Sequence, residues 1–153
     1  MQTIASERVH SAIDRAWSAE EERAYLATRS SRQAVHVAVD GSGSIVGCQV
    51  LDAYSGLLPA TSHVGELGTF LLPEWRGRGV GRALFDVTCA FARAASYRKF
   101  VIMVRASNTA AQAFYTRLGF VMCGRLTEQV ILDGRADDEI LMEYFLASNG
   151  AGR

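Results

Sequence analysis

The stretch Glu66 to Leu84, ELGTFLLPEWRGRGVGRAL, decides how the rest of the chain is read. An apolar run from Leu67 to Leu72 stops at Pro73, and a glycine-rich basic turn follows, Arg76-Gly77-Arg78-Gly79-Val80-Gly81. The turn opens into a segment whose apolar residues Val80, Leu84, Val87 and Phe91 recur at steps of four, three and four, one stripe of a helix. Arg82, Asp86 and Arg93 fall on the other side. The spacing predicts strand, glycine turn, helix. The first turn of such a helix leaves backbone N–H groups without partners, and the aligned peptide dipoles make that end positive. Glycines let a ligand approach the backbone closely and admit positive φ. With Arg76, Arg78 and Arg82 around the same spot, the turn suits a phosphate or pyrophosphate.

Other glycine turns fit less well. A dinucleotide-binding GxGxxG needs a third glycine where Arg82 stands and usually closes the first strand of a domain. A nucleotide P-loop needs GxxxxGK followed by Ser or Thr, which is absent. A plain strand-to-helix turn explains one or two glycines, but not three at alternate positions among three arginines.

Outside this stretch, 153 residues are enough for one domain with a sizeable core, read here as residues 1–147 with a loose tail at 148–153. Hydrophobic residues at 49% and charged residues at 21% are ordinary for a globular protein, and a net charge of zero does not mark a nucleic-acid binder. No apolar run has the length of a membrane span, and the N-terminus lacks a secretory layout. Cys48, Cys89 and Cys123 are too few for a disulfide framework and are not spaced as metal ligands, so a cytoplasmic setting and no metal are expected.

Val9, Ile13 and Trp17 predict a helix over 6–17, and Ser18 with Glu21 reads as a capping box starting a second helix that runs to about Arg29. Residues 34–39 and 44–51 are rich in β-branched residues around Asp40-Gly41-Ser42-Gly43, a hairpin signal. His36 lies in the alternating strand as an ordinary packed or surface residue. Phe100 to Val104 reads as a buried strand. Ser107 or Asn108 caps a helix whose Ala111, Phe114, Tyr115 and Leu118 share a face and which Gly119 ends. Residues 121–132 and 138–146 close the sheet as antiparallel strands around Asp133-Gly134.

Leu71, Pro73-Glu74 and Arg76 to Gly81 resemble the acetyl-CoA-binding motif of the GNAT N-acetyltransferase superfamily, R/Q-x-x-G-x-G/A, here Arg76, Gly79 and Gly81. Further matches lie in VRASNTAAQAFYTRLGF (Val104 to Phe120) and in the DGRADDEILME ending (Asp133 to Glu143), so the resemblance runs from about residue 18 to 146. It implies an α+β domain, a mixed α/β sheet splayed at its centre and flanked by helices. The family normally begins with a strand, for which only Gln2 to Ala5 is available.

The resemblance also implies a site. The pyrophosphate of acetyl-CoA goes to the N–H groups of Gly77, Arg78, Gly79, Val80, Gly81 and Arg82. The pantetheine arm pairs with the strand edge at Thr69, Phe70 and Leu71, and the N–H of Leu71 serves the oxyanion. Asn108 matches the asparagine that bonds the arm, though a helix cap is an equal reading. Tyr115 stands at the family's tyrosine position. A phenol of pKa about 10 can protonate a thiolate whose acid has pKa about 8.5, uphill but within reach of a positioned hydrogen bond. Glu66, on the motif strand, is the first candidate base, equally readable as a strand-edge surface residue; Asp52, His63 and Glu128 are weaker. Another position used for a base holds Met103, which cannot serve. Cys89 is read as pointing away from the packed helix face, Cys48 and Cys123 as strand cysteines of the small buried kind. With no histidine partner for any of them, direct transfer is preferred to an acyl-cysteine.

The function expected is transfer of an acetyl group to a primary amine in a ternary complex; the alternative is an acyl-CoA-binding regulatory module without chemistry. The acceptor, a small-molecule amine or a protein or peptide amine, would meet residues 6–30, the loop 54–62 and the region 124–137. A homodimer is left open, and neither nucleic acid nor membrane is expected as a partner.

Overall fold

The computed structural model describes residues 15–146. The strand expected at 2–5, most of the helix expected at 6–17 and the tail at 148–153 lie outside them. Of that first helix only residues 15–17 are described, and there the chain is not helical.

Helix α1 (Ala19–Ala27) starts as predicted: Ser18 Oγ accepts from the Glu21 N–H, and the Glu21 carboxylate accepts from the Ser18 N–H. Strands β1 (Ala34–Val39) and β2 (Ile45–Ala53) form the expected hairpin, its turn tied by Asp40 Oδ1 accepting from the N–H groups of Ser42 and Ser44. Strand β3 (Val64–Leu71) follows, then the glycine turn and helix α2 (Val80–Ala94), strand β4 (Lys99–Arg105), helix α3 (Thr109–Leu118), and the long hairpin β5 (Val121–Leu132) and β6 (Arg135–Phe145).

The six strands form one open sheet in the order β1-β2-β3-β4-β6-β5. All neighbours are antiparallel except β3 and β4, which the α2 crossover makes parallel. The core fills one face of the sheet. Phe85 of α2, Phe100 of β4, Phe120 and Tyr144 meet there with ring centroids 5.2 to 6.2 Å apart, in edge-to-face, tilted and stacked pairs.

Helix α2 departs from the predicted stripe. Its inward face is Gly81, Leu84, Phe85, Thr88, Cys89 and Ala92, while Val87 is 53% exposed. The buried face is turned from Val80-Leu84-Val87-Phe91 by about one residue, roughly 100°. Large residues alone mislead here, because small ones fill much of the true face. The polar one, Thr88, is satisfied by His36 Nδ1 at 3.0 Å. Cys89 therefore lies in the core and does not point away from it. Cys123 is exposed, against the expectation of a buried strand thiol, and Cys48 is half-buried. Strand β4 is buried on one face only, since Met103 is exposed.

Candidate active site

The geometry of the site begins with the parity of β3. Leu72 N–H donates to the Val46 carbonyl at 3.0 Å, and Tyr54 N–H to the Val64 carbonyl at 3.2 Å. Even-numbered residues of β3 therefore address β2 with their backbone groups, and Leu67, Thr69 and Leu71 turn theirs toward β4. Pairing with β4 covers only Val64 to Glu66. Beyond Glu66 the two strands diverge, and a cleft of about 820 Å³ opens between them, walled also by the start of α2 and by α3. The backbone edge of Leu67, Thr69 and Leu71 borders it. Phe70 has the opposite parity, so of the three expected edge residues only Thr69 and Leu71 offer main-chain groups to the cleft. The Leu71 carbonyl accepts from Arg76 Nε at 3.1 Å and Nη2 at 3.0 Å. Arg76 thus fixes the end of the strand, and the Leu71 N–H faces the opening.

The glycines of the turn have distinct causes. Gly77 and Gly79 hold φ of +70° and +83°, with open space where a Cβ would stand. Gly81 is helical, and a Cβ there would lie 2.9 Å from the Phe114 ring. The first turn of α2 has Gly79 at its N-cap with no side chain capping it, so the N–H groups of Val80, Gly81 and Arg82 lead toward the cleft. Arg82 pairs with Asp86 at 3.0 Å, and Arg78 stacks on Trp75 at 5.6 Å. An unpaired strand edge beside an uncapped glycine-lined helix start fits an extended, diphosphate-bearing cosubstrate. Among the described residues, no group of three or more His, Cys, Asp or Glu is placed to hold a metal.

Tyr115 is buried on α3, and its hydroxyl donates to Thr69 Oγ1 at 2.9 Å. The same oxygen accepts from Gln49 Nε2 at 2.8 Å. Burial pushes the Tyr115 phenol up to about 12, against the pull of the Thr69 hydroxyl and N–H. Asn108 caps α3, its Oδ1 accepting from the Ala111 N–H at 3.0 Å, and it lines the cleft. Glu66 is half-buried; burial first, then the carboxylates of Asp52 and Glu139, hold it above the usual carboxylate range.

A second cleft, of about 770 Å³, lies under the opposite face of the sheet, between α1 and strands β1 to β3. Glu66, Leu67, Gly68 and Phe70 border both clefts. Neither the loop 54–62 nor the region 124–137, both expected at the acceptor, lines this second cleft. The weaker bases are placed elsewhere or engaged. Asp52 accepts from Tyr25 at 2.8 Å and Gln33 at 2.7 Å, and pairs with Arg29. His63 meets the start of β4, where its carbonyl accepts from Arg98. Glu128 is exposed at an irregularity of β5. Burial pushes the Cys89 thiol up to about 11, which keeps this core cysteine protonated. Two residues were missed from sequence. Glu139 borders the first cleft, but in the run Asp137-Asp138-Glu139 nothing separates it from its neighbours. Gln49 reads as one polar residue of an apolar strand, and no local signal marks it.

The sequence matches the model of the acetyltransferase (GNAT) family over residues 2–120. The chain belongs to this family. Comparison with curated proteins finds no significant sequence match. Among solved structures, the GNAT chain resembles a ribosomal-protein-alanine N-acetyltransferase of Brucella melitensis at 25% identity and TM-score 0.85, covering 94% of this chain and 89% of that one. A GNAT phosphinothricin acetyltransferase of Sinorhizobium meliloti, solved with acetyl-CoA, matches at 23% identity and TM-score 0.84, over 95% and 80% of the two chains. An N-acetyltransferase of Staphylococcus aureus matches at 22% and 0.82, over 90% and 82%. The last two establish the shared fold. With the family, they bear out the GNAT-like α+β architecture expected from the sequence.

Proposed function

We propose that this acetyltransferase moves the acetyl group of acetyl-CoA to a primary amine by direct attack in a ternary complex. The observation that carries this reading is the wall of β3. Its cleft-facing backbone edge and the uncapped start of α2 lie on one side, a second cleft lies on the other, and Glu66 borders both.

In this reading the glycine turn and the N–H groups of residues 77–82 hold the diphosphate, with Arg78 and Arg82 supplying charge nearby. Thr69 and Leu71 pair with the pantetheine arm, and Asn108 borders it. The ammonium of the acceptor gives a proton to the Glu66 carboxylate, directly or through water. A base held above the usual carboxylate range is better matched to this task. The amine nitrogen then bonds to the thioester carbon and sheds its second proton to solvent, the Leu71 N–H stabilises the oxyanion, and the carbon–sulfur bond breaks as the carbonyl reforms. Tyr115 protonates the departing thiolate. The products are the amide, the free thiol of CoA and one proton, which leaves through Glu66 as solvent restores Tyr115.

The test is thiol release from acetyl-CoA over a panel of amines, with Tyr115→Phe beside the parent. A loss of kcat of about 100-fold at unchanged acetyl-CoA affinity is expected, within the range for removing a general acid. Tight CoA binding with no amine raising turnover above background would replace this reading with the non-catalytic module.

A further inference from the structure

We propose that the acceptor is a primary amine carried as a cation on an apolar body, with no carboxylate, phosphinate or phosphate beside the nitrogen. The inference rests on the transferase reading above and assigns the substrate class of its second cleft.

The first ground is charge. The described residues around that cleft include three carboxylates, Glu22, Asp52 and Glu66, and no lysine, arginine or histidine. Arg29, outside that lining, pairs with Asp52 and lies 3.9 Å over the face of the Tyr25 ring. Arg29 offsets Asp52, so Glu22 and Glu66 carry the negative charge of the cleft. An amino acid placed with its nitrogen at Glu66 would bring its own carboxylate into the same field. The described lining holds no cation to receive it, Arg29 being engaged by Asp52, and two like charges held close in a partly buried site repel strongly.

The second ground is the walls. Val35, Val37 and Val50 present the outward face of β1 and β2, and Trp17 and Leu26 close over it from the α1 side. Val37 is 50% exposed and Trp17 47%, so large apolar surfaces stand open to whatever enters. Trp17 meets Tyr25 edge to face at 5.2 Å, which sets an aromatic pair in the cleft wall. Aromatic rings and carboxylates lining one cleft suit an apolar cation. The raised pKa of Glu66 agrees with this placement, since a buried carboxylate among carboxylates gains most from a bound ammonium.

The test compares acceptors of one phenethyl body at saturating acetyl-CoA, namely phenethylamine, phenylalanine and a phenylalanine-led tripeptide amide, with glutamate beside them. The kcat/KM for phenethylamine should exceed that for phenylalanine by about 100-fold or more, the factor for one like-charge contact at such a site. The tripeptide amide separates the two sources of this chemistry, a free amine or a chain end, and turnover of either supports the assignment. Val37→Lys, on the exposed floor, should narrow the phenethylamine-to-phenylalanine ratio at least about tenfold by giving the carboxylate a partner. Phenylalanine or glutamate matching phenethylamine, or a ratio indifferent to Val37→Lys, would overturn the assignment while leaving the transferase intact. Titration of acetyl-CoA by calorimetry distinguishes the deeper failure. With no binding, or with binding but no acceptor turned over, the transferase reading fails and this one falls with it.

Discussion

Thr69 carries the most informative perturbation, because one hydroxyl serves two buried partners. Its Oγ1 accepts from Gln49 Nε2 at 2.8 Å and from Tyr115 at 2.9 Å. Gln49 is fully buried, and its Oε1 has no protein partner. Whichever way that amide is turned, one end is satisfied and the other is not. Thr69→Val keeps the shape and removes the acceptor. The Gln49 amide then loses its recorded side-chain partner, and Tyr115 loses its side-chain acceptor. A buried polar group left without a partner costs about 1–3 kcal/mol. Tyr115 borders the cleft and retains the Thr69 N–H, so its share sits at the low end. Together the loss should be about 2–4 kcal/mol, or roughly 5–15 °C in Tm for a chain of this size. Gln49→Leu alone should stay within about 1 kcal/mol of the parent, since it removes an unsatisfied acceptor along with one hydrogen bond. The double variant should then regain about 1–2 kcal/mol over Thr69→Val, a coupling energy that urea unfolding of all four proteins reads directly. Thr69→Val within about 0.5 kcal/mol of the parent, or a strictly additive cycle, would refute the network.

Four further outcomes are expected. In the pH profile of kcat/KM, activity should fall as pH drops through a Glu66 pKa raised above the ordinary value of about 4.3, because the base must be ionised; in Glu66→Gln that limb should vanish with a large loss of rate. Gly79→Ala places a Cβ in open space, so its cost is that of a φ of +83° alone, about 1–2 kcal/mol; the turn should relax, and acetyl-CoA affinity by calorimetry should fall about tenfold. Thiol labelling at pH 8 should modify exposed Cys123 first and half-buried Cys48 more slowly, with Cys89 silent until the protein unfolds, as read by mass spectrometry of the labelled peptides. Gly68→Val should raise the KM for the amine and leave acetyl-CoA affinity within about threefold, since a Cβ there already lies 3.1 Å from the Phe70 ring on the wall shared by both clefts.

What the sequence made legible follows from how local each signal is. The capping box at Ser18, the hairpin turn at Asp40, the Asn108 cap and Gly119 stop all depend on residues within one turn of one another, and each stands where expected. The glycine turn is of the same kind, which is why its strand and helix were readable. The α2 face was not, because its packing against β1 and β2 is a tertiary fact: Thr88 is acceptable inside only because His36 lies 3.0 Å away, 52 positions earlier in the chain. Gln49 was invisible for the same reason, since Thr69 and Tyr115 come from two later elements. The second cleft was not foreseen because it depends on which face of the sheet α1 covers. The Tyr25–Asp52 and Arg29–Asp52 contacts decide that, and no spacing announces them.

In the proposed reaction, the position of the base follows from the same arrangement. A group that takes a proton from an amine in one cleft, while the amine attacks a thioester in the other, must belong to the wall between them. Glu66, Leu67, Gly68 and Phe70 are the described residues bordering both, and Glu66 alone among them titrates. Glu66 is also the last residue of β3 paired to β4, opposite Val101. The point where the sheet begins to splay is therefore the point where its carboxylate stands. Moving it one residue toward Leu71 would reverse the face it occupies, and moving it two would carry it about 7 Å along the unpaired edge. The splay and the proposed base are thus fixed by one register, which places the carboxylate at 66 on the border of both clefts.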